Sequence, residues 1–171
     1  MKNPLSIEQI EEAEPYLDQL VEMLVLVVEG ASIGFLPPVT KEAAVEYWKS
    51  VGESGISLFI ASVDNWVVGS VQLHECSSQN GRHRAEIAKM MVHPDFRQQG
   101  IARKLMIAAE EKAIQDGKTL LVLDTREGTP ANSLYNSLGY VEVGRIPNYA
   151  RSADGTLHTT VIYYKQIGRM T

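Results

Sequence analysis

Residues 91–105 read MVHPDFRQQGIARKL, which places a strand, a short loop and the start of a helix in succession. The first N–H groups of a helix have no intrahelical partner, and the helix dipole adds partial positive charge at that end. Gly100 and Ala102 keep side-chain bulk away from this backbone, so that an anion can approach it. With the positive charge of Arg97 and Arg103, the segment has the composition of a pyrophosphate cradle, although it matches neither GxxxxGK(S/T) nor GxGxxG. An ordinary helix start with exposed basic residues is the alternative interpretation of these residues alone.

Outward from this segment, the spacing of apolar residues predicts an α/β domain with a mixed sheet. The predicted strands are 5–10, 57–63, 66–73, 84–93, 119–123, 140–146 and 157–164, and the predicted helices are 15–30, 40–51, 100–116 and 130–138. Asp64 and Asn65 form a two-residue turn sequence that favours a tight hairpin between the second and third strands. Residues 119–123 are continuously apolar, as expected for a strand that is buried on both faces.

Length and composition exclude several classes of protein. A chain of 171 residues is expected to form one domain over residues 1–171, and its 44% hydrophobic content argues against disorder. A net charge of −5 disfavours broad electrostatic binding to nucleic acid. The longest apolar run, 24–28, is far shorter than the ~20 residues that a membrane span needs. The N-terminal sequence also lacks the apolar core of a signal peptide.

The cysteine and histidine content points away from disulfide and metal chemistry. Cys76 is the single cysteine and cannot form an intramolecular bridge, which fits a reducing compartment and predicts a cytoplasmic location. The four histidines show no metal-ligand spacing, so we expect no bound metal. The apolar residues 25–28 fit a homodimer interface and core packing equally well.

Two further motifs link the cradle to a known family. Residues 97–102, RQQGIA, resemble the (R/Q)xxGx(G/A) coenzyme A loop of the GNAT N-acetyltransferase superfamily, and they follow a strand end of the kind found there. Residues 131–140, ANSLYNSLGY, resemble the AxxxYxxxG(F/Y) segment of the same family. Similar runs extend the resemblance over nearly the whole chain, at 30–35, 84–86, 123–125, 154–158 and 162–165. The resemblance is strongest to members that inactivate an amino-acid-like toxin.

The resemblance implies a GNAT fold, in which two central parallel strands splay apart and acetyl-CoA binds between them as the cosubstrate. It also implies that the strand backbone binds the pantetheine arm and that the loop binds the pyrophosphate mainly through N–H groups. The implied cofactor-binding residues are Met91, Val92, Arg97, Gln98, Gln99, Gly100, Ile101, Ala102, Arg103 and Asn132. Many family members carry an asparagine seven residues before the motif tyrosine, where this sequence has Gly128.

Acetyl transfer to an amine requires a proton acceptor, because a primary amine with a pKa of about 10 is mostly protonated at pH 7. Glu86 is the candidate base, at the offset of the base glutamate of histone-acetylating GNAT enzymes. A strand-end ion pair with Arg82 or Arg84 is the alternative. Tyr135 is the candidate acid that assists the departing thiolate, and core packing is its alternative. Asp124 is expected to receive the substrate ammonium or to relay its proton, unless it serves the following turn.

The acceptor side is predicted from weaker signals. Phe35, Tyr149 and His158 are the candidate substrate-binding residues, and the apolar loop 30–38 is either buried packing or a lid. A lid would restrict the acceptor to a small molecule. Cys76 has no base motif around it, which argues against an acyl-enzyme. The sequence therefore predicts direct acetyl transfer to a small-molecule amine, with a protein lysine or N-terminus as alternative acceptor and a non-catalytic acyl-CoA sensor as alternative function.

Overall fold

A seven-stranded sheet with helices on both faces forms the framework of the described residues, 4–30, 33–52 and 55–169, in the computed structural model. The strands are β1 (Ser6–Ile10), β2 (Ile56–Val63), β3 (Trp66–Glu75), β4 (Arg84–Val92), β5 (Leu120–Arg126), β6 (Val141–Arg151) and β7 (Leu157–Gln166). The helices are α1 (Leu17–Gly30), α2 (Lys41–Ser50), α3 (Ile101–Gln115) and α4 (Pro130–Ser137). This succession confirms the predicted order of elements and the α/β class.

Local sequence signals account for the ends of these elements. The Thr40 hydroxyl accepts a hydrogen bond from the Ala43 N–H at 3.1 Å, which is the contact expected of a threonine N-cap at α2. Asp64 and Asn65 have φ values of 54° and 64°, which is the conformation that a two-residue hairpin turn requires between β2 and β3. The predicted hairpin is therefore confirmed.

The sheet has the order β1-β2-β3-β4-β5-β7-β6, and the pairing of β4 with β5 is parallel while the other pairings are antiparallel. A parallel pair needs a crossover connection, and α3 provides it between β4 and β5. The mixed sheet is thus confirmed, and its single parallel junction in the described residues lies at its centre.

Two hydrophobic cores hold the helices on the sheet. On one face, α3 packs through Leu105 and Met106. On the other face, α1 and α2 pack on β2 and are joined by a hydrogen bond from the Trp48 Nε1 to the Leu20 carbonyl at 3.0 Å. Gly69 on β3 allows α3 to lie close, because a Cβ there would be 3.1 Å from two side chains of α3 and from the Met91 carbonyl.

Three sequence-based expectations need correction or resolution. Strand β5 is not buried on both faces: Leu121 and Leu123 are buried beneath α3, but Leu120 and Val122 are only partly covered, because the core that α1 and α2 form contains no residue of β5. Strand β6 extends to Arg151 rather than ending at residue 146, because it pairs with β7 again beyond a bulge. Val27 and Val28 are each 2% exposed, so core packing accounts for these two residues, whereas Leu26 in the same run is 38% exposed.

Candidate active site

The centre of the sheet opens where β4 and β5 separate. The two strands pair only at Arg84–Glu86 with Leu120–Val122, and both continue beyond this point without pairing with each other in the described residues. From Ile87 and Leu123 onward, the facing strand edges therefore lack the hydrogen-bond partners that a continuous sheet would supply. The two strands thus separate at the centre of the sheet, as expected of splayed parallel strands, and the gap between them is called here the cleft.

A β-bulge at Lys89 interrupts β4 along this cleft. The register with β3 passes from Ala88 opposite Gln72 to Met91 opposite Ser70, and Lys89 adopts a φ of 55°. Ile87 before the bulge lies in the core beneath α3, whereas Met91 beyond it lies in the core beneath α1 and α2. The extra residue therefore changes which side chains of β4 point towards α1 and α2. The face of the sheet on which α1 and α2 pack is called here the α1–α2 face.

The predicted phosphate cradle lies at the mouth of the cleft. Gln98 and Gly100 have φ values of 59° and 78°, and α3 begins directly afterwards. The first hydrogen bond of α3 runs from the Lys104 N–H to the Gly100 carbonyl at 3.2 Å. The N–H groups of residues 101–103 therefore come before the first hydrogen bond within the helix. A Cβ at Gly100 would meet no atom within 4 Å, which shows that the space above the loop is open.

The cradle side chains differ in what they contact. Arg97, Gln98 and Gln99 are exposed, whereas the Ile101 side chain is 2% exposed in the core and leaves only its backbone for a ligand. The Arg103 guanidinium donates to the Ser137 hydroxyl at 2.6 Å and so joins α3 to α4. The segment therefore offers backbone N–H groups and the exposed side chain of Arg97 as groups that could contact an anion.

Tyr135 on α4 is buried among other tyrosines. Its ring centroid lies 5.9 Å from those of Tyr140 and Tyr163, and the residue is 5% exposed. Burial raises the pKa of Tyr135 to about 12, with smaller contributions from the charge of Asp124 and from Tyr163. The phenol is therefore an O–H donor throughout the neutral and mildly alkaline range, and it also packs in the core.

Asp124 lies on β5 rather than in the turn that follows it. One carboxylate oxygen accepts a hydrogen bond from the buried Thr160 hydroxyl at 2.7 Å. The carboxylate also raises the pKa values of Tyr135 and Lys89, so it lies within electrostatic range of both. The alternative role in the following turn is wrong, because β5 extends two residues further, to Arg126.

Glu86 is exposed at the last position where β4 and β5 pair. Its charge opposes the lowering of the pKa values of His74 and Lys89 that burial causes. The Arg84 guanidinium packs against Gly81, where it would lie 2.6 Å from a Cβ if Gly81 had one. Within the described ranges, Glu86 makes no ion pair with either neighbouring arginine. The carboxylate therefore remains available on the α1–α2 face.

Sequence reasoning missed a chain of polar side chains beside Glu86. Gln72 is 1% exposed, and its amide nitrogen donates to the Tyr47 hydroxyl at 2.8 Å. Its amide oxygen lies 2.7 Å from the His74 Nε2, and His74 is opposite Glu86 in the sheet. Burial lowers the pKa of His74, Glu86 opposes that shift, and Lys89 adds to it. The available signal was the i, i+2 spacing of Gln72 and His74, two polar residues that flank the apolar Leu73 in β3.

The other predicted residues lie in three places. The Asn132 amide accepts from the Tyr163 hydroxyl at 2.8 Å and donates to the Arg126 carbonyl at 2.9 Å, which fixes the start of α4. Phe35 packs on Tyr47 at 5.0 Å between ring centroids. Tyr149 and His158 lie on the β6–β7 hairpin, and no hydrogen bond or ring contact in the described residues joins them to Phe35. Of loop 30–38, Ala31 and Ser32 lie outside the described residues.

Other features of the described chain add little to the cleft. A surface cavity of about 150 Å³ lies at the β1–β2 edge, with Ile10, Val51 and Leu58 in its lining, and contains none of the predicted site residues. No group of three or more metal-ligating side chains occurs within residues 4–30, 33–52 and 55–169. Across those same residues, no helix combines the length and apolar character needed to cross a membrane.

Comparisons with known proteins identify similar sequences. A model of the acetyltransferase (GNAT) family matches residues 23–140. An uncharacterized N-acetyltransferase in the hisH-hisA intergenic region of Azospirillum brasilense is 35% identical over 101 residues. These residues cover 57% of this chain and 60% of that relative, so the match spans less than two thirds of its length.

Three solved structures share the fold. The ribosomal-protein-S18-alanine N-acetyltransferase from Escherichia coli has a TM-score of 0.78 at 18% identity, over 98% of this chain and 97% of that chain. YncA from Salmonella typhimurium, solved with its cofactor acetyl-CoA, has a TM-score of 0.77 at 19% identity, over 96% and 94%. A protein assigned as a phosphinothricin N-acetyltransferase has a TM-score of 0.75 at 20% identity, over 97% and 100%. These likenesses confirm the expected GNAT fold.

Proposed function

Because the chain belongs to the acetyltransferase (GNAT) family, we propose that it transfers acetyl from acetyl-CoA directly to a primary amine of a small molecule. The observation that carries this proposal is the cleft where β4 and β5 stop pairing, with Glu86, Asp124 and Tyr135 around it. The unpaired edge of β4 can bind an extended chain that contains amides, as the pantetheine arm of coenzyme A does. In this arrangement the backbone of Met91 and Val92 lies along that arm.

The pyrophosphate of the cosubstrate is assigned to residues 97–103. The amides at the start of α3 carry the partial positive charge of the helix dipole, and the exposed Arg97 adds a full charge nearby. The bond between Arg103 and Ser137 holds α4 against the same helix end. This contact couples the pyrophosphate site to the helix that carries Tyr135.

The incoming amine must lose a proton before it attacks. We assign this proton to Glu86, whose carboxylate is exposed on the α1–α2 face next to the cleft. Asp124 provides a second negative charge across the opening, which attracts an ammonium group before deprotonation. The neutral nitrogen then forms a bond to the acetyl carbonyl carbon as the carbon–sulfur bond breaks. The nitrogen's second proton leaves for the thiolate or for water, which gives the amide and free coenzyme A.

The departing thiolate needs a donor, and Tyr135 is assigned that role. A thiol has an ordinary pKa of about 8.5, so full transfer of a proton from a phenol of pKa about 12 would be unfavourable by roughly 5 kcal/mol. Tyr135 therefore stabilises the thiolate through a hydrogen bond rather than by giving up its proton. The Cys76 Sγ packs beside Gly81 and the Arg84 guanidinium, and among the described residues no hydrogen bond joins it to a base, which supports direct transfer without an acyl-enzyme.

A small, amino-acid-like acceptor is favoured by two resemblances and by one contact in the structure. The sequence runs described above resemble the tabtoxin resistance acetyltransferase, and a protein with a similar fold is assigned as a phosphinothricin N-acetyltransferase. In addition, Phe35 and Tyr47 cover the α1–α2 face beside Glu86. A protein N-terminus is the second candidate, because another similar structure is a ribosomal-protein-alanine N-acetyltransferase.

The test is to incubate the purified protein with acetyl-CoA and a panel of amines while free thiol is measured. The panel contains amino acids, phosphinothricin, a peptide with N-terminal alanine, a peptide with an internal lysine and a blank without amine. We expect thiol release with one or more of the small amines and little with the peptides. Mass spectrometry of the product identifies the acetylated nitrogen.

Each other result changes the proposal in a defined way. Release with peptides alone would replace the small-molecule acceptor with a protein. Binding of acetyl-CoA in a calorimeter, without thiol release for any amine, would favour the non-catalytic sensor. Absence of acetyl-CoA binding would overturn the assignment of the cleft itself.

A further inference from the structure

Loop 33–38 lies over the α1–α2 face beside the candidate base. Ile33 and Phe35 are half-buried and pack against the core that α1 and α2 form on the sheet. The Phe35 ring meets the Tyr47 ring edge-on, with centroids 5.0 Å apart and an angle of 85° between the planes. Tyr47 in turn hydrogen-bonds to Gln72, so the loop rests directly on the polar chain next to Glu86.

One lysine of β4 ties this loop to the edge of the cleft. The Lys89 Nζ donates to the Ile33 carbonyl at 2.8 Å and lies 5.3 Å from the centroid of the Phe35 ring. Both a charge-assisted hydrogen bond and a cation–π contact therefore join them. The fit at Gly34 is close, since a Cβ there would lie 2.5 Å from the same Nζ and the residue has a φ of 90°.

The bulge in β4 is what allows Lys89 to reach the loop. Side chains alternate between the faces of a regular strand, so after Ile87 and Ala88 the next residue would point beneath α3. The bulge inserts Lys89 as the extra residue, and its ammonium instead contacts the loop on the α1–α2 face.

The charge of Lys89 is subject to two opposing effects in this half-buried position. Burial lowers the pKa of Lys89, and the negative charges of Asp124 and Glu86 oppose that effect. His74 is the further titratable group that senses this ammonium. The ammonium therefore lies within electrostatic range of two carboxylates at the cleft, and its hydrogen bond goes to a carbonyl of the loop.

We infer that Lys89 is a latch that holds loop 33–38 over the acceptor side of the cleft and thereby limits the size of the amine that can reach Glu86. This inference rests on the proposed function for its consequence, but the latch itself is a structural contact. A bulky acceptor such as a peptide must displace the loop, whereas a small amine can enter beneath it.

The experiment compares Lys89→Met, Lys89→Arg and Gly34→Ala in the full chain. Lys118→Met is the matched control, because the Lys118 Nζ also donates to a backbone carbonyl, that of Arg82 at 2.9 Å, away from the loop. Hydrogen exchange is followed in the fragment that contains the amides of 33–36. We expect about tenfold faster exchange there in Lys89→Met and Gly34→Ala, wild-type exchange in the control, and partial rescue in Lys89→Arg.

Thiol release with a small amine and with the N-terminal alanine peptide gives the second readout. We expect kcat/KM for the peptide to rise relative to the small amine in Lys89→Met, with an unchanged Kd for acetyl-CoA. Unchanged exchange in both loop variants would overturn the latch, and faster exchange with an unchanged ratio would overturn its role in size selection. If the wild-type protein uses no amine, the proposed function fails, and the exchange result alone decides the latch.

Discussion

The two halves of the cleft are built in different ways. In the half proposed to bind the cofactor, residues 97–103 form one continuous segment that offers backbone N–H groups at the start of α3. In the half proposed to bind the acceptor, side chains from α2, β3 and β4 and the loop 33–38 meet on the α1–α2 face. Backbone recognition requires a fixed local conformation, whereas side-chain recognition requires distant segments to be packed together. The halves should therefore respond differently to substitution.

The largest effect is expected for Glu86→Gln in the acceptor half. Loss of a general base lowers rates by about 10²–10⁴-fold, so we expect kcat/KM for the amine to fall in this range while the Kd for acetyl-CoA stays the same. The loss should be greatest at pH values where the amine is protonated. Rate measurements from pH 6 to 10 check this, and a pH-independent small loss would transfer the role to Asp124 or water.

Tyr135→Phe is expected to lower kcat by about 100-fold, because it removes one hydrogen-bond donor from the developing thiolate. The substitution also tests the raised pKa of about 12. Since this value lies above the ordinary 10, the tyrosine contributes stability that is complete below pH 10 and is lost as the pH rises towards 12.

Urea unfolding of wild type and Tyr135→Phe between pH 8 and 11 measures that contribution. We expect the difference in unfolding free energy between the two proteins to change only above pH 10. A wild-type kcat in the variant would exclude Tyr135 from the reaction, even if the stability result agreed.

Gln72→Leu is expected to lower kcat/KM for the amine about tenfold. The substitution keeps the buried volume but removes the link between Tyr47 and His74, which leaves their polar groups without this partner. The Kd for acetyl-CoA should stay within a factor of two of the wild-type value. If kcat/KM for the amine and the affinity for acetyl-CoA fell by the same factor, Gln72 would stabilise the whole sheet rather than the acceptor half alone.

The smallest effects are expected for side chains of the cofactor half. Arg97→Ala should weaken acetyl-CoA binding only a few-fold, because exposed charges contribute little and the backbone carries the main interaction. Gly100→Val should weaken it more, since a β-branched residue disfavours the φ of 78°. Calorimetric Kd values for both variants test the comparison, and a larger loss for Arg97→Ala would reverse it.

Much of the fold could be predicted because its signals are local. The helix N-cap at Thr40 and the turn at Asp64 and Asn65 depend on residues only a few positions apart. The partial burial of β5 could not be predicted, because it depends on how far α1 and α2 extend across the sheet. The length of β6 depends on renewed pairing beyond a bulge, which residues 140–146 alone do not reveal.

The residues of the candidate site also fall into those that local sequence predicts and those that only packing between distant segments brings together. By itself, the sequence specified the order of elements, the helix start at Gly100 and the family motifs, because each depends on backbone conformation within one segment. Only the tertiary structure placed Lys89 against Ile33 and brought Gln72 between Tyr47 and His74. These contacts depend on strand register, on one inserted residue in β4 and on how α2 packs on the sheet. No local pattern encodes such distances, since they arise from packing between segments that are far apart along the chain.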